Sequence, residues 1–171
     1  MLDKVIVLGC PGSGKSYFSK RLHEITGIPV FYLDKLYWKK DWKHVSDRTL
    51  KFKIKKILEG NCYIIDGNYF KTIKMRLDKA EQVFYFDIPT RICLDSVKKR
   101  ENTVRDDFPN FLNEVVDEEF IEMIKNFKSK QGKFILELLH KYKHKEIHIF
   151  KNRKDAKNFL SSLKKQRLHQ R

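Results

Sequence analysis

Four apolar runs without internal alternation recur along the chain, at residues 4–8 (KVIVL), 29–33 (PVFYL), 62–65 (CYII) and 82–86 (QVFYF), and a fifth short run, EIHIF, lies at 146–150. Runs of this length, rich in β-branched and aromatic residues and closed by glycine or an acid, predict strands. Between them lie stretches of helical character. Residues 16–25 hold no helix breaker and end at Gly27. Ser46 is placed to cap a helix in which Leu50, Ile54, Ile57 and Leu58 share a face and Gly60 ends the turn. Further helices are predicted at 72–79, from Pro89 to 99, at 113–127 and at 133–142, the last two separated by Gln131 and Gly132. Asn152 with Asp155 resembles a capping box for a last helix with Ala156, Phe159, Leu160 and Leu163 on its apolar face. Strands that do not alternate are buried on both faces, and strands separated by helices pair in parallel. The chain is therefore expected to be an α/β protein with one parallel sheet covered by helices.

Two segments escape the periodic pattern. Residues 35–44 are aromatic and basic, with Trp38 and Trp42, and read as a loop or short helix over a pocket. Residues 100–109 are charged and non-periodic, as a mobile lid would be. No internal repeat or low-complexity linker is present. The length of 171 residues is that of one domain.

Chemistry enters between the first strand and the first helix. Gly9, Cys10, Pro11, Gly12, Ser13, Gly14, Lys15 and Ser16 fit G-x-x-x-x-G-K-[ST], the phosphate-binding P-loop, in the strand–loop–helix setting that the motif requires. The glycines let successive amides converge on one anion, and the helix N-terminus adds its unpaired donors. Lys15 is then the point charge for the outer phosphates and Ser16 a magnesium ligand.

Three acids, Asp34, Asp66 and Asp87, close three predicted strands, at the sheet edge where ligands of open parallel sheets bind. Asp66 is the candidate partner of Ser16 for magnesium. Asp34, beside the aromatic segment, is the candidate to orient or deprotonate an acceptor hydroxyl. Asp87, just before Ile-Pro, is expected to cap the next helix. Arg100 and Arg105 in the lid are candidates to stabilise a transferring phosphoryl group, with Arg91 and Arg76 as weaker ones. Arg153 is placed to stack on a base. His140, His144 and His148 repeat every four residues, but the last falls on a strand, so the helical alignment a shared metal would need is broken.

The formal net charge of +15 suits a polyphosphate site and also a non-specific nucleic-acid surface, with lysines at 51, 53, 55 and 56 and the tail KKQRLHQR as its most basic stretches. No base-reading motif accompanies that charge. The three cysteines, Cys10, Cys62 and Cys93, are far apart and are expected to be buried and reduced. No apolar run reaches membrane-spanning length and the N-terminus is not a signal peptide, so a soluble, cytoplasmic protein with no membrane partner is expected.

The combination of VIVLGCPGSGKS, HEITGIPVFYLDKLYW, CYIIDGNY and YFDIP with an arginine-containing loop resembles the DNA topology modulation proteins, a group similar to adenylate kinase and shikimate kinase among the P-loop kinases. The resemblance implies a three-layer P-loop NTPase fold with sheet order 2-3-1-4-5, ATP at the P-loop and a lid near Arg100 and Arg105. Nucleoside monophosphate kinases carry a TGDxLR-like segment that grips the acceptor phosphate, and an arginine shortly after DGFP. Here those places hold LDKLYW and DGNYFK, with lysine at position 71. The departure favours a small hydroxyl-bearing acceptor such as a nucleoside or sugar. The alternative reading is a DNA-binding NTPase or regulator.

Overall fold

The computed structural model describes residues 2–101, 103–112 and 114–169. Five parallel strands, β1 (Lys4–Gly9), β2 (Val30–Tyr32), β3 (Tyr63–Asp66), β4 (Gln82–Phe86) and β5 (Glu146–Phe150), form one sheet in the order β2-β3-β1-β4-β5. Val5, Ile6, Val7 and Leu8 are all buried. Since successive strand side chains point to opposite faces, both faces of the sheet are covered. Phe18, on helix α1 (Lys15–Thr26), packs its ring 4.8 Å from Phe84 and 5.4 Å from Phe86. The fold is therefore the α/β arrangement expected.

Register places the strand ends together. Val7 pairs with Asp66, Asp66 with Tyr32, and Gly9 with Phe86, so the chain leaves β1, β2 and β3 at the same edge. After β2 the chain turns at once into a short helix, α2 (Leu33–Tyr37), and Asp34 lies in its first turn, not at a strand end. A 3₁₀ turn follows at Lys40–Trp42, then α3 (Asp47–Leu58), capped by Ser46 as expected through the Thr49 amide at 3.1 Å. The remaining helices are α4 (Phe70–Lys79), α5 (Thr90–Lys99), α6 (Glu118–Phe127), α7 (Lys133–Lys141) and α8 (Arg153–His169). Asn152 accepts from the Asp155 amide at 2.9 Å, which bears out the cap at the start of α8.

Four expectations change. β3 begins at Tyr63, which pairs with Lys4, so Cys62 falls in the turn before the strand and is exposed; Cys10 and Cys93 are buried. The helix expected from 113 begins at Glu118 with Asp117 as its cap, and Asn113 itself lies outside the described residues. Gln131 and Gly132 do not break the helical pair: Lys128–Gly132 is a π-helical turn that carries α6 into α7. A β-carbon on Gly132 would come within 3.0 Å of the Tyr85 hydroxyl, so this glycine allows close packing and does not stop a helix. Asp87 does not cap α5, whose N-terminal residue Pro89 makes no side-chain cap; its carboxylate pairs with Lys128 at 3.1 Å.

Arg76 is fully buried and donates to the carbonyls of Gly67 (2.8 Å) and Asn68, and to the Thr72 hydroxyl (3.2 Å). Its guanidinium thus ties α4 to the segment after β3, and it does not line the cavity described below. Arg76→Ala removes both carbonyl partners and leaves a hole. It is expected to cost about 3–5 kcal/mol, read as a lower urea midpoint at unchanged slope.

Candidate active site

A cavity of about 1310 Å³ opens at the carboxyl edge of the sheet. Pro11, Gly12, Gly14, Lys15 and Ser16 form one side of it. Gly12 adopts φ +77°, and a β-carbon there would stand 2.3 Å from the Cys93 carbonyl oxygen; Gly14, at φ +105°, is the N-terminal boundary of α1. Both positions require glycine. The Gly9 peptide is held on both sides by Asn68, whose amide oxygen accepts from the Gly9 N–H (3.1 Å) and whose amide nitrogen donates to the Gly9 carbonyl (2.9 Å). Lys15 Nζ donates to the Cys10 carbonyl at 3.0 Å, which keeps the ammonium over the loop. Ser13, within the loop, is buried, and a hydrogen bond with Cys93, with burial second, pushes the Cys10 thiol up.

Arg153, expected to stack on a base, lines the same cavity as the loop. Its guanidinium donates to the carbonyls of Gly12 (2.5 Å) and Ser13 (3.2 Å) and to the Ser96 hydroxyl (2.6 Å). The residue braces the P-loop from α8 and so fixes which way the loop amides face. Arg91 is exposed and does not line the cavity.

Ser16 and Asp66 meet as expected. Asp66 is 4% exposed, and its Oδ2 is buried with no hydrogen-bond partner. Burial pushes the carboxyl up to about 6, against the pull of Lys15 and the Ser16 hydroxyl. An orphaned carboxylate oxygen beside a hydroxyl at the phosphate loop fits a hard cation such as magnesium. Among the described residues no group of three or more His, Cys, Asp or Glu side chains could hold a metal unaided. Such an ion would draw its remaining ligands from phosphate oxygens and water, as magnesium commonly does.

The raised Asp66 carboxyl has a consequence for stability. A group that holds its proton more tightly when folded makes the fold less stable as pH climbs from its unfolded value, near 3.8, through about 6. Asp66→Asn is therefore expected to stabilise the ligand-free protein by on the order of 2–3 kcal/mol at pH 8, with the gain gone below pH 4. Thermal unfolding of both proteins across that range checks the sign.

The opposite side of the cavity is aromatic and acidic. Asp34 is part-buried, and the Tyr69 hydroxyl donates to its Oδ1 at 2.6 Å. Burial raises the Asp34 carboxyl above the ordinary range, while Tyr69, Lys15 and Arg105 pull it down. Tyr69 itself adopts φ +39°, a left-handed conformation that a bulky side chain occupies only at a cost. From that conformation the phenol reaches Asp34. Tyr37, Trp38, Trp42 and Phe108 line the same side.

Arg100 and Arg105 also border the cavity, but neither is a solitary lid cation. Arg105 binds the Asp107 carboxylate through Nε (3.1 Å) and Nη2, and Glu114 through Nη1 (2.8 Å). Arg100 binds the other Glu114 oxygen at 2.8 Å. Although burial opposes it, Arg105 holds the Asp107 carboxyl below its usual value.

Tyr69, Asn68, Asp107 and Glu114 were not singled out from the sequence. For the first two a signal existed, since DGNY follows an apolar strand directly. For the acids there was none, because their partners are set by how residues 103–112 and 114–117 fold back.

No protein-family model matches the chain. The adenylate kinase of Thermotoga petrophila is 33% identical over 109 residues, 60% of this chain and 49% of that protein. That of Thermotoga maritima is 33% identical over 81 residues, 47% of this chain and 36% of that protein. The chain thus spans about half the length, or less, of the curated relatives it matches. Among solved structures, the shikimate kinase from Acinetobacter baumannii in complex with shikimate superposes with a TM-score of 0.63 at 12% identity, covering 100% of this chain and 96% of that one. The shikimate kinase from Bacteroides thetaiotaomicron does so with 0.61 at 13% identity, covering 95% and 96%. The P-loop NTPase fold, with sheet order 2-3-1-4-5, is thereby established, and the similarities together support a P-loop kinase-like chain. No helix among the described residues is long and apolar enough to cross a membrane.

Proposed function

We propose that this protein is a magnesium- and ATP-dependent phosphotransferase acting on the hydroxyl group of a small acceptor. The observation that carries the reading is the convergence on one cavity of a phosphate loop, the Ser16–Asp66 pair and a tyrosine-held carboxylate, Asp34. The adenylate kinase similarity spans 60% of this chain and leaves the acceptor unspecified.

The loop amides of Gly12, Gly14, Lys15 and Ser16, at the N-terminus of α1, would bind the phosphates of ATP, with the Lys15 ammonium on the outer ones. Magnesium, held by Ser16 and Asp66, would neutralise charge on the phosphate oxygens. Asp34, held through Oδ1 by Tyr69, orients the acceptor hydroxyl and takes its proton as the new oxygen–phosphorus bond forms. The bond between the γ-phosphorus and the bridging oxygen breaks, and ADP leaves with that electron pair. Lys15 meets the charge that develops on the transferring group, together with the N–H groups of Arg100 and Arg105 that Glu114 and Asp107 leave over. The aromatic walls and the lid exclude water from the transferring group.

The test is ADP release from magnesium-ATP as small hydroxyl compounds are added singly, with duplex DNA as a separate addition. Stimulation by a small acceptor supports the reading. Stimulation by DNA alone supports instead the DNA-dependent NTPase suggested by the net charge of +15.

A further inference from the structure

We infer that the acceptor is an uncharged hydroxyl compound with a planar ring, of the nucleoside type, and neither a nucleotide nor a hydroxy acid. This rests on the phosphotransferase reading above.

The first observation is the balance of charge around Asp34. An acceptor that carries a phosphate or carboxylate needs a cation with a free face, and a guanidinium fork offers the most oriented one. Both lid arginines already carry protein carboxylates. Asp107 occupies the Nε and Nη2 edge of Arg105, and Glu114 bridges Arg105 and Arg100 at 2.8 Å each. Lys71, at the rim, is paired with Asp47 at 2.5 Å. Lys51 stands there as an exposed point charge with no planar fork. An anion brought to this side would also meet Asp34 and Asp66, both buried or part-buried acids.

The same pairing argues against a cationic acceptor. Asp107 and Glu114 are spent on the arginines, and Asp34 is engaged by Tyr69. The lid arginines and Lys71 are thus paired with protein carboxylates, which leaves no preformed fork for an anionic acceptor and favours a neutral compound.

The second observation is the aromatic wall. Tyr37, Trp38, Trp42 and Phe108 form a continuous run of ring contacts, at 4.9 Å, 5.3 Å and 6.0 Å between successive centroids. Trp42 is 42% exposed and sits at φ +53°, next to Asp41 at φ +57°. A tryptophan held open in the left-handed region is costly to the fold on its own account. Its contact with Phe108 joins the segment after α2 to the lid, so the wall runs across both sides of the opening. Flat aromatic faces at the mouth of a cavity, with one hydrogen-bonding acid at its floor, suit a ring that stacks while its hydroxyl reaches Asp34.

The experiment measures ADP release from magnesium-ATP by the full chain with adenosine, cytidine and thymidine, their 5′-monophosphates, shikimate and choline. At least one nucleoside is expected to stimulate release, and to exceed its own monophosphate in kcat/KM by at least about tenfold. Asp107→Ala, which clears the Nε and Nη2 edge of Arg105, is expected to shift that ratio toward the monophosphate by at least about tenfold. Greater stimulation by a monophosphate, by shikimate or by choline overturns the inference and leaves the phosphotransferase reading in place. An unshifted ratio in Asp107→Ala overturns it too. Silence with every compound overturns both.

Discussion

Lys15→Ala is expected to lower acceptor-stimulated ADP release by about 10³-fold or more while leaving the circular dichroism spectrum and unfolding temperature close to those of the parent protein. The argument is one of position. Lys15 opens α1, lines the cavity, and spends its ammonium on a single carbonyl of the loop it serves, that of Cys10 at 3.0 Å. Removing it takes away a hydrogen bond worth about 1 kcal/mol to the fold. What is lost to the reaction is larger, because a fixed charge in a water-poor site acts on the transferring phosphoryl group without reorganisation. Arg153 is not placed to substitute, since its Nε and Nη2 are fixed on Gly12, Ser13 and Ser96. Turnover within a few-fold of the parent would remove the P-loop from the mechanism.

Asp34→Asn is the second large effect, a loss of about 10²–10⁴-fold in kcat with nucleotide affinity retained, measured by steady-state turnover beside nucleotide titration. Tyr69→Phe separates positioning from proton transfer. Asp34 must be ionised to accept a proton, and its carboxyl is raised above the ordinary range chiefly by burial. Activity should therefore rise with pH along an acid limb that lies above the usual carboxylate range, and Asp66, at about 6, contributes to the same limb. Tyr69 stabilises the ionised form of Asp34, so its removal raises the carboxyl further and moves the limb to higher pH. A purely structural tyrosine would lower the rate without moving the limb.

The sheet was legible in the sequence because its signals are local. Runs such as KVIVL and QVFYF can be buried on both faces only in a covered parallel sheet, and Ser46 and Asn152 announce their helices by side-chain chemistry alone. The P-loop was legible for the same reason, as the conformations of Gly12 and Gly14 follow from residue type. Gly132 misled because glycine serves two ends: it stops helices, but here it makes room for the Tyr85 hydroxyl. The acceptor side was legible only in part. Asp34 could be nominated from its place after an apolar run, yet its partner lies 35 residues away on a backbone that turns left-handed. The lid arginines were read as free charges because nothing in RDDF or NEVV says that residues 105, 107 and 114 fold onto one another. Charge composition suggests an electropositive pocket; in the fold the lid arginines are paired with Asp107 and Glu114.

The most direct test of the central claim is to follow the γ-phosphoryl group of labelled ATP to its destination, with adenosine, cytidine and thymidine present in turn, in the parent protein and in Asp34→Asn. The account predicts label covalently attached to a hydroxyl of the acceptor in the parent protein and at least about 10²-fold less in the variant. Label released only as inorganic phosphate, at a rate set by duplex DNA and indifferent to Asp34, would contradict it.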